Sequence, residues 1–297
     1  MSAFPGFEDR RFDTGDATIA ALVGGSGPPL ALLHGYPQTR MIWHRIAPAL
    51  AERFTVVAPD LRGYGRSSGP APDDANLNYS KRAMARDIVA VMQQLGHRRF
   101  ALAGHDRGGR VAYRLALDSP DCVSRLAVLD IVPTAEMWGR INHAGALKSY
   151  HWSFLAQPAP MPQRLIGADP DYYLDHLLRR WAGDHGALAP EALADYQASF
   201  RQPTVIAATC ADYRAGATVD VEHDLADQQA GRRIGCPTLV IWARQYLAAQ
   251  SPLATWQRWC SGELREVPVD CGHFIAEEQP QACAAALLEF LSEEPQV

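Results

Sequence analysis

The sequence has no Cys-x-x-Cys pair and no cluster of His and Cys at zinc-ligand spacing. Its six cysteines, at positions 122, 210, 236, 260, 271 and 283, are scattered singly, which fits reduced thiols in packed surroundings and argues against a disulfide framework. No basic tract is present: 28 Lys and Arg stand against 33 Asp and Glu, a formal charge of -5. That balance argues against nucleic acid or an anionic membrane as the main partner, and leaves a small molecule as the expected one. No apolar run approaches the ~18 residues of a membrane-spanning helix. The first ten residues lack the basic-then-apolar order of a signal peptide, so a soluble cytoplasmic protein is expected. Internal repeats and low-complexity tracts are absent too.

What is present is enough apolar content, 47% of 297 residues, to bury a substantial core as one large domain or as a domain with an insertion. Residues 17–23 read as a strand, and Leu30 to Leu33 and Thr55 to Ala58 as buried parallel strands. Tyr79 to Leu95 carries apolar residues at helical spacing, with Ser80 as its cap and Gly96 as its stop. Leu126 to Leu129, Thr238 to Trp242 and Leu264 to Pro268 read as further strands, and a helix from about Gln279 to Leu291 closes the chain. Between 134 and 216 the short strands give way to aromatic-rich helical segments with Pro-rich joints. We therefore expect an α/β fold, a mostly parallel sheet flanked by helices, with residues 1–133 and 217–297 as its core and 134–216 as an inserted helical cap. In the glycine-punctuated loop after Thr55 to Ala58, Asp60 and Arg62 are expected to form a structural salt bridge.

The apolar run Phe100 to Ala103 leads into Gly104-His105-Asp106-Arg107-Gly108 and then into a helical segment. Glycines at 104 and 108 flank one residue at the spacing of a nucleophile elbow, a strained turn that pushes a single side chain clear of the backbone. That residue is Asp106 rather than serine or cysteine. A carboxylate attacks carbonyls poorly, but it can displace a leaving group from an sp³ carbon, and the resulting ester must then be cleaved by water. The helix N-terminus favours the anion. An Asp that merely caps a helix is the commoner case, so the elbow needs partners. The N–H of Tyr36, in His34-Gly35-Tyr36-Pro37, and that of Arg107 would supply a two-donor oxyanion hole for ester hydrolysis.

With strands alternating with helices, an elbow, and a late His after the last strand, the chain from about residue 15 to about residue 292 resembles the α/β-hydrolase superfamily. The resemblance implies the order nucleophile Asp106, acid Asp130, base His273. Many members place the acid just after the strand occupied here by Leu239 to Trp242, but Ala243 to Gln250 contains no carboxylate. Asp130 is then the candidate to hold His273, which would activate the water. More closely, His105 to Arg110, Tyr150-His151-Trp152 and Asp212-Tyr213-Arg214-Ala215-Gly216 resemble the fluoroacetate dehalogenases, which displace fluoride from fluoroacetate without cofactor or metal. The resemblance implies Arg107 and Arg110 as holders of the substrate carboxylate, and His151, Trp152 and Tyr213 as donors to the leaving halide. His105, Tyr150 and Trp181 are expected as pocket walls, and an apolar cap surface bearing Trp138 and Trp181 as the face of a possible homodimer.

The residue chemistry agrees with a haloacetate as the small-molecule substrate. Arg107 and Arg110, three apart on one helix, can both present forked donors to a carboxylate, whereas Arg114, one turn deeper, is expected to pair with a structural acid. Fluoride leaves poorly unless densely hydrogen-bonded in a dry pocket. An epoxide hydrolase would use the same Asp and His with two tyrosine acids, Tyr213 with Tyr150 or Tyr172. Two arginines offer little to a neutral epoxide, and they count equally against a haloalkane dehalogenase. A non-catalytic binding protein of the same fold is a further alternative, although such proteins commonly lose a triad member and all three are present here. An Asp at the elbow excludes a serine esterase.

Overall fold

A computed structural model of the chain describes residues 3–246 and 251–293. Among the described residues, eight strands form one sheet: β1 (Phe7–Asp13), β2 (Thr18–Gly24), β3 (Pro29–Leu33), β4 (Thr55–Pro59), β5 (Phe100–His105), β6 (Val123–Leu129), β7 (Thr238–Ala243) and β8 (Leu264–Val269). Their order is β1-β2-β4-β3-β5-β6-β7-β8. β2 runs antiparallel to β1 and β4, and all neighbours from β4 to β8 are parallel. The inner strands are short apolar runs because helices cover both faces of the sheet. β1, Phe-Glu-Asp-Arg-Arg-Phe-Asp, has only Phe12 buried and is an edge strand that the apolar pattern did not reveal.

Register brings the functional edge together. Leu33 lies opposite Gly104, Gly104 opposite Val128, and Leu129 opposite Ile241. The pairing continues past the strand ends: Asp106 N–H donates to Leu129 O (3.2 Å) and Asp130 N–H to Ile241 O (2.8 Å). Residues that follow β3, β5 and β6 therefore share one rim, where ligands bind in open parallel sheets.

The expected helix is Lys81–Gln94, capped by Ser80, whose hydroxyl accepts from Ala83 N–H. Gly96 follows it with φ 86, a conformation that glycine adopts without steric cost. Between β6 and β7 the chain is helical from Thr134–Gly139 to Val219–Gln229, and several of these helices open on proline, as in Pro170–Trp181, Pro190–Phe200 and Pro203–Ala217. Buried ion pairs tie this segment to the elbow helix, Arg107–Asp118. Arg114 meets Asp224 at 2.9 Å and Asp227 at 2.5 Å, and the Tyr113 hydroxyl donates to Asp224 (2.9 Å). Breaking such a pair by removing one partner would leave an uncompensated buried charge, which is strongly destabilising.

Two expectations fail. Asp60 and Arg62 do not pair: Asp60 folds under its own loop to accept from the N–H groups of Arg40 and Arg66, while Arg62 reaches the helix Lys81–Gln94 and grips Asp87 at 2.6 and 2.7 Å. Trp138 and Trp181 do not form an open apolar face, because Trp181 is 3% exposed and Trp138 packs on Trp152 while donating to Gly216 O. Among the described residues no helix is long and apolar enough to cross a membrane.

Candidate active site

Asp106 occupies the elbow with φ 47 and ψ −117, a left-handed conformation that a non-glycine residue holds only when its surroundings enforce it. Three glycines make the turn possible. A Cβ on Gly104 would collide with the backbone of Gly108, one on Gly108 with the carbonyls of Leu33 and His34, and one on Gly35 with the Asp106 side chain itself. With Gly35 bare, the next residue approaches closely, and Tyr36 N–H donates to Asp106 Oδ1 at 2.9 Å. Arg107, whose N–H is the second donor expected for an oxyanion hole, is the first residue of the elbow helix.

Asp106 Oδ2 faces His273, whose Nε2 stands 3.7 Å away. The other ring nitrogen, Nδ1, donates to Asp130 Oδ2 at 2.6 Å, and Asp130 Oδ1 accepts from Ala243 N–H at 2.9 Å. Asp130, at the end of β6, has φ 55, so both carboxylates of the constellation sit on strained turns. The loop carrying His273 is pinned by Glu278, which accepts from the N–H groups of Gly272 (2.9 Å) and Phe274 (3.0 Å). Residues 247–250, part of the carboxylate-free segment after β7, lie outside the described residues.

The electrostatics follow from burial and charge. Burial opposes the Asp106 anion, but the close His273 imidazole, with Arg110 behind, holds its carboxyl well below the ordinary range. Burial likewise opposes the His273 cation, and the two flanking carboxylates outweigh it, raising the imidazole to about 9. Burial pushes the Asp130 carboxyl up, against its bond to His273. His151 is lowered to about 3 by burial, helped by His273 and both arginines and opposed by Asp106, so it is neutral.

Asp106, Arg110, His151, Trp152, Tyr246 and His273 line a cavity of about 150 Å³ that reaches the surface near Arg140 and Lys148. His151, Trp152 and Tyr213 are brought together, with the Tyr213 ring centroid 5.8 Å from each of the other two rings. Burial and the Asp106 charge keep the Tyr213 hydroxyl protonated. Arg110 donates from Nη1 to Val132 O (2.6 Å), and its buried Nε has no protein partner. Arg107 is fully buried against Asp212, and its Nη1 alone lacks a partner.

His105, Tyr150 and Trp181, expected as walls, stand behind the lining residues. His105 is buried, and its Nε2 donates to His273 O (2.8 Å). Trp181 packs on His151 with ring centroids 4.5 Å apart, and Tyr150 packs between His151 and His176. The wall they were expected to supply comes partly from Tyr246, which stacks on His273 at 4.1 Å. Neither Tyr246 nor Glu278 carried a sequence signal: Tyr246 lies in the turn after β7 and Glu278 ends the short helix Ile275–Glu278, and only the fold brings each to His273 or its loop.

The alpha/beta hydrolase fold family matches residues 28–280. A fluoroacetate dehalogenase of a Burkholderia species is 48% identical over 98% of this chain and 95% of that protein. A soluble epoxide hydrolase of a Corynebacterium species is 33% identical over 91% and 92%. Among solved structures, a putative alpha/beta hydrolase from a Nostoc species superposes with a TM-score of 0.93 at 49% identity, covering 97% of this chain and 99% of that one. The chain belongs to the alpha/beta hydrolase family and is an enzyme of that family.

Proposed function

We propose that this enzyme is a hydrolytic haloacetate dehalogenase that converts fluoroacetate to glycolate and fluoride. The observation that carries the reading is Arg110, which lines the cavity with the Asp nucleophile and keeps a buried Nε–H without a protein partner; Arg107 Nη1, on the same helix, is likewise unpartnered, although Arg107 is not among the cavity-lining residues. Buried donors are rarely left unpaired, and a substrate carboxylate is the group that satisfies them.

In the proposed reaction, Asp106 Oδ2, the oxygen not held by Tyr36 N–H, attacks the halogen-bearing carbon. A C–O bond forms, the carbon–halogen bond breaks, and the halide leaves with the electron pair towards the N–H and O–H groups of His151, Trp152 and Tyr213. Alkylation makes Asp106 neutral, and His273 then loses one of the two carboxylates that hold its proton. Its pKa falls from about 9, and the neutral imidazole becomes available as a base. Water gives His273 Nε2 a proton and adds to Asp106 Cγ. The oxyanion on Oδ1 accepts from Tyr36 N–H and Arg107 N–H, and collapse breaks the Cγ–Oδ2 bond as His273 returns its proton to the departing glycolate oxygen; the second proton of the water, left on the Asp106 carboxyl, passes to His273 and restores the starting ion pair. Asp130 holds the ring throughout.

The epoxide hydrolase relatives give the alternative its support. Of the tyrosine acids expected for it, Tyr213 reaches the constellation, but Tyr150 packs behind His151 and Tyr172 is 70% exposed. A homodimer in the cytoplasm belongs to our reading; light scattering at several concentrations tests the mass. The test of function is halide release. Fluoroacetate and chloroacetate should each yield free halide, and Asp106→Asn should abolish it. Diol from styrene oxide with no halide from either acid would make the protein an epoxide hydrolase instead.

A further inference from the structure

The motif Asp212-Tyr213-Arg214-Ala215-Gly216 contributes Tyr213 to the proposed reaction, while Asp212 and Gly216 take no part in that chemistry. Both meet Arg107. Arg107 Nε donates to Asp212 Oδ2 at 3.0 Å, and Nη2 donates to Asp212 Oδ1 at 2.5 Å and to the Asp212 carbonyl at 2.8 Å. One turn further along the helix Pro203–Ala217, Gly216 lies against the same guanidinium: a Cβ there would stand 2.9 Å from Nη2 and 3.3 Å from Nη1. The ring of Tyr213 completes the contact, 4.2 Å from the guanidinium carbon. Nη1 is what remains uncommitted.

Asp212 is itself held from the core. The Tyr64 hydroxyl donates to its Oδ2 at 2.7 Å, and Lys81 Nζ pairs with Oδ1 while standing 3.8 Å from Asp220. Two cations and two anions thus balance in a buried cluster, so Arg107 brings little net charge to the cavity. Arg110 has no carboxylate partner among the described residues and supplies that charge. The two arginines divide the work, Arg110 attracting the substrate carboxylate and Arg107 aiming it.

We propose that Asp212 and Gly216 are positioning residues that form a seat for Arg107, committing three of the five guanidinium N–H groups and leaving the two on Nη1. Nη1 orients the haloacetate so that its halogen-bearing carbon lines up with Asp106. The inference rests on the haloacetate reading. Because the seat lies on the helix that carries Tyr213, it also keeps the carboxylate anchor and a halide donor in fixed relation. Alignment of this kind acts on the displacement step, where small misplacements cost large factors in rate, and not on water attack at Asp106 Cγ.

The test is single-turnover rapid quench with chloroacetate, following formation and decay of the Asp106 ester by mass spectrometry. Gly216→Ala is the sharper variant, because alanine favours the helix while its methyl crowds the guanidinium. Asp212→Asn keeps the shape and removes the charge, and Tyr64→Phe loosens Asp212 more gently. Expected is an alkylation rate lowered about tenfold or more in the first two and less in the third, with ester hydrolysis unchanged. Equal loss of both steps, no change in either, or loss only of the fraction of enzyme that reacts would overturn the seat and leave Asp212 and Gly216 as packing residues. If wild-type protein forms no ester with any haloacetate, the haloacetate reading itself has failed, and the seat falls with it.

Discussion

His273 Nδ1 donates a 2.6 Å hydrogen bond to Asp130 Oδ2 across 143 residues of chain, while Nε2 of the same ring stands 3.7 Å from Asp106. The ring is therefore oriented by one carboxylate and aimed at the other. Asp130→Asn should leave alkylation of Asp106 largely intact and slow ester hydrolysis by up to roughly four orders of magnitude, so that the ester accumulates. Intact-mass measurement during turnover would show the adduct; equal slowing of both steps would remove Asp130 from this role.

The two steps should separate with pH. Asp106 is ionised throughout the neutral range, so alkylation should be flat from about pH 6 to pH 8. Hydrolysis needs neutral His273, and its rate should rise with pH through the imidazole pKa of the ester form, which lies below the free enzyme's value of about 9. Rapid quench at several pH values checks this. A hydrolysis rate independent of pH would contradict His273 as base.

Arg110 should govern affinity for the anion. Replacing it with glutamine removes a buried charged donor, with an expected loss of about 1.5–3 kcal/mol, or roughly 10- to 150-fold in KM for chloroacetate. Steady-state kinetics would reveal an unchanged KM if the carboxylate binds elsewhere.

Glu277 is a buried acid that takes no part in the proposed chemistry. Burial pushes its carboxyl up to about 8, against hydrogen bonds from Tyr196 and Gln38. With the folded value above the unfolded one, its contribution to stability is fully present below about pH 4.5 and is lost as pH rises through 8. Relative to Glu277→Gln, the wild type should therefore lose about 1.4 kcal/mol per pH unit across that window. Urea unfolding of both proteins at pH 5, 6.5 and 8 measures the difference, and parallel curves would refute it.

Much of the core was legible because its chemistry is local. The runs at Leu30 to Leu33, Thr55 to Ala58 and Thr238 to Trp242 became β3, β4 and β7 within a residue or so, since strands buried on both faces must be apolar throughout. Gly104 and Gly108 marked the elbow because the turn tolerates no Cβ at either position. β1 was invisible for the converse reason: an exposed edge strand needs no apolar pattern, and its existence depends on β2 being beside it.

Residue identity by itself determined that this chain carries an Asp where a strained turn displays one side chain, with two arginines on the helix that follows and a late His. Tertiary structure alone decided how those groups are used. It left Arg107 only Nη1 free by seating the rest on Asp212, sent Arg62 to Asp87 rather than Asp60, and laid Tyr246 over His273. Glycine and apolar patterns report what a residue needs from its immediate neighbours. A buried ion's partner is whichever opposite charge the packed elements bring within reach, and that is a property of the assembled fold.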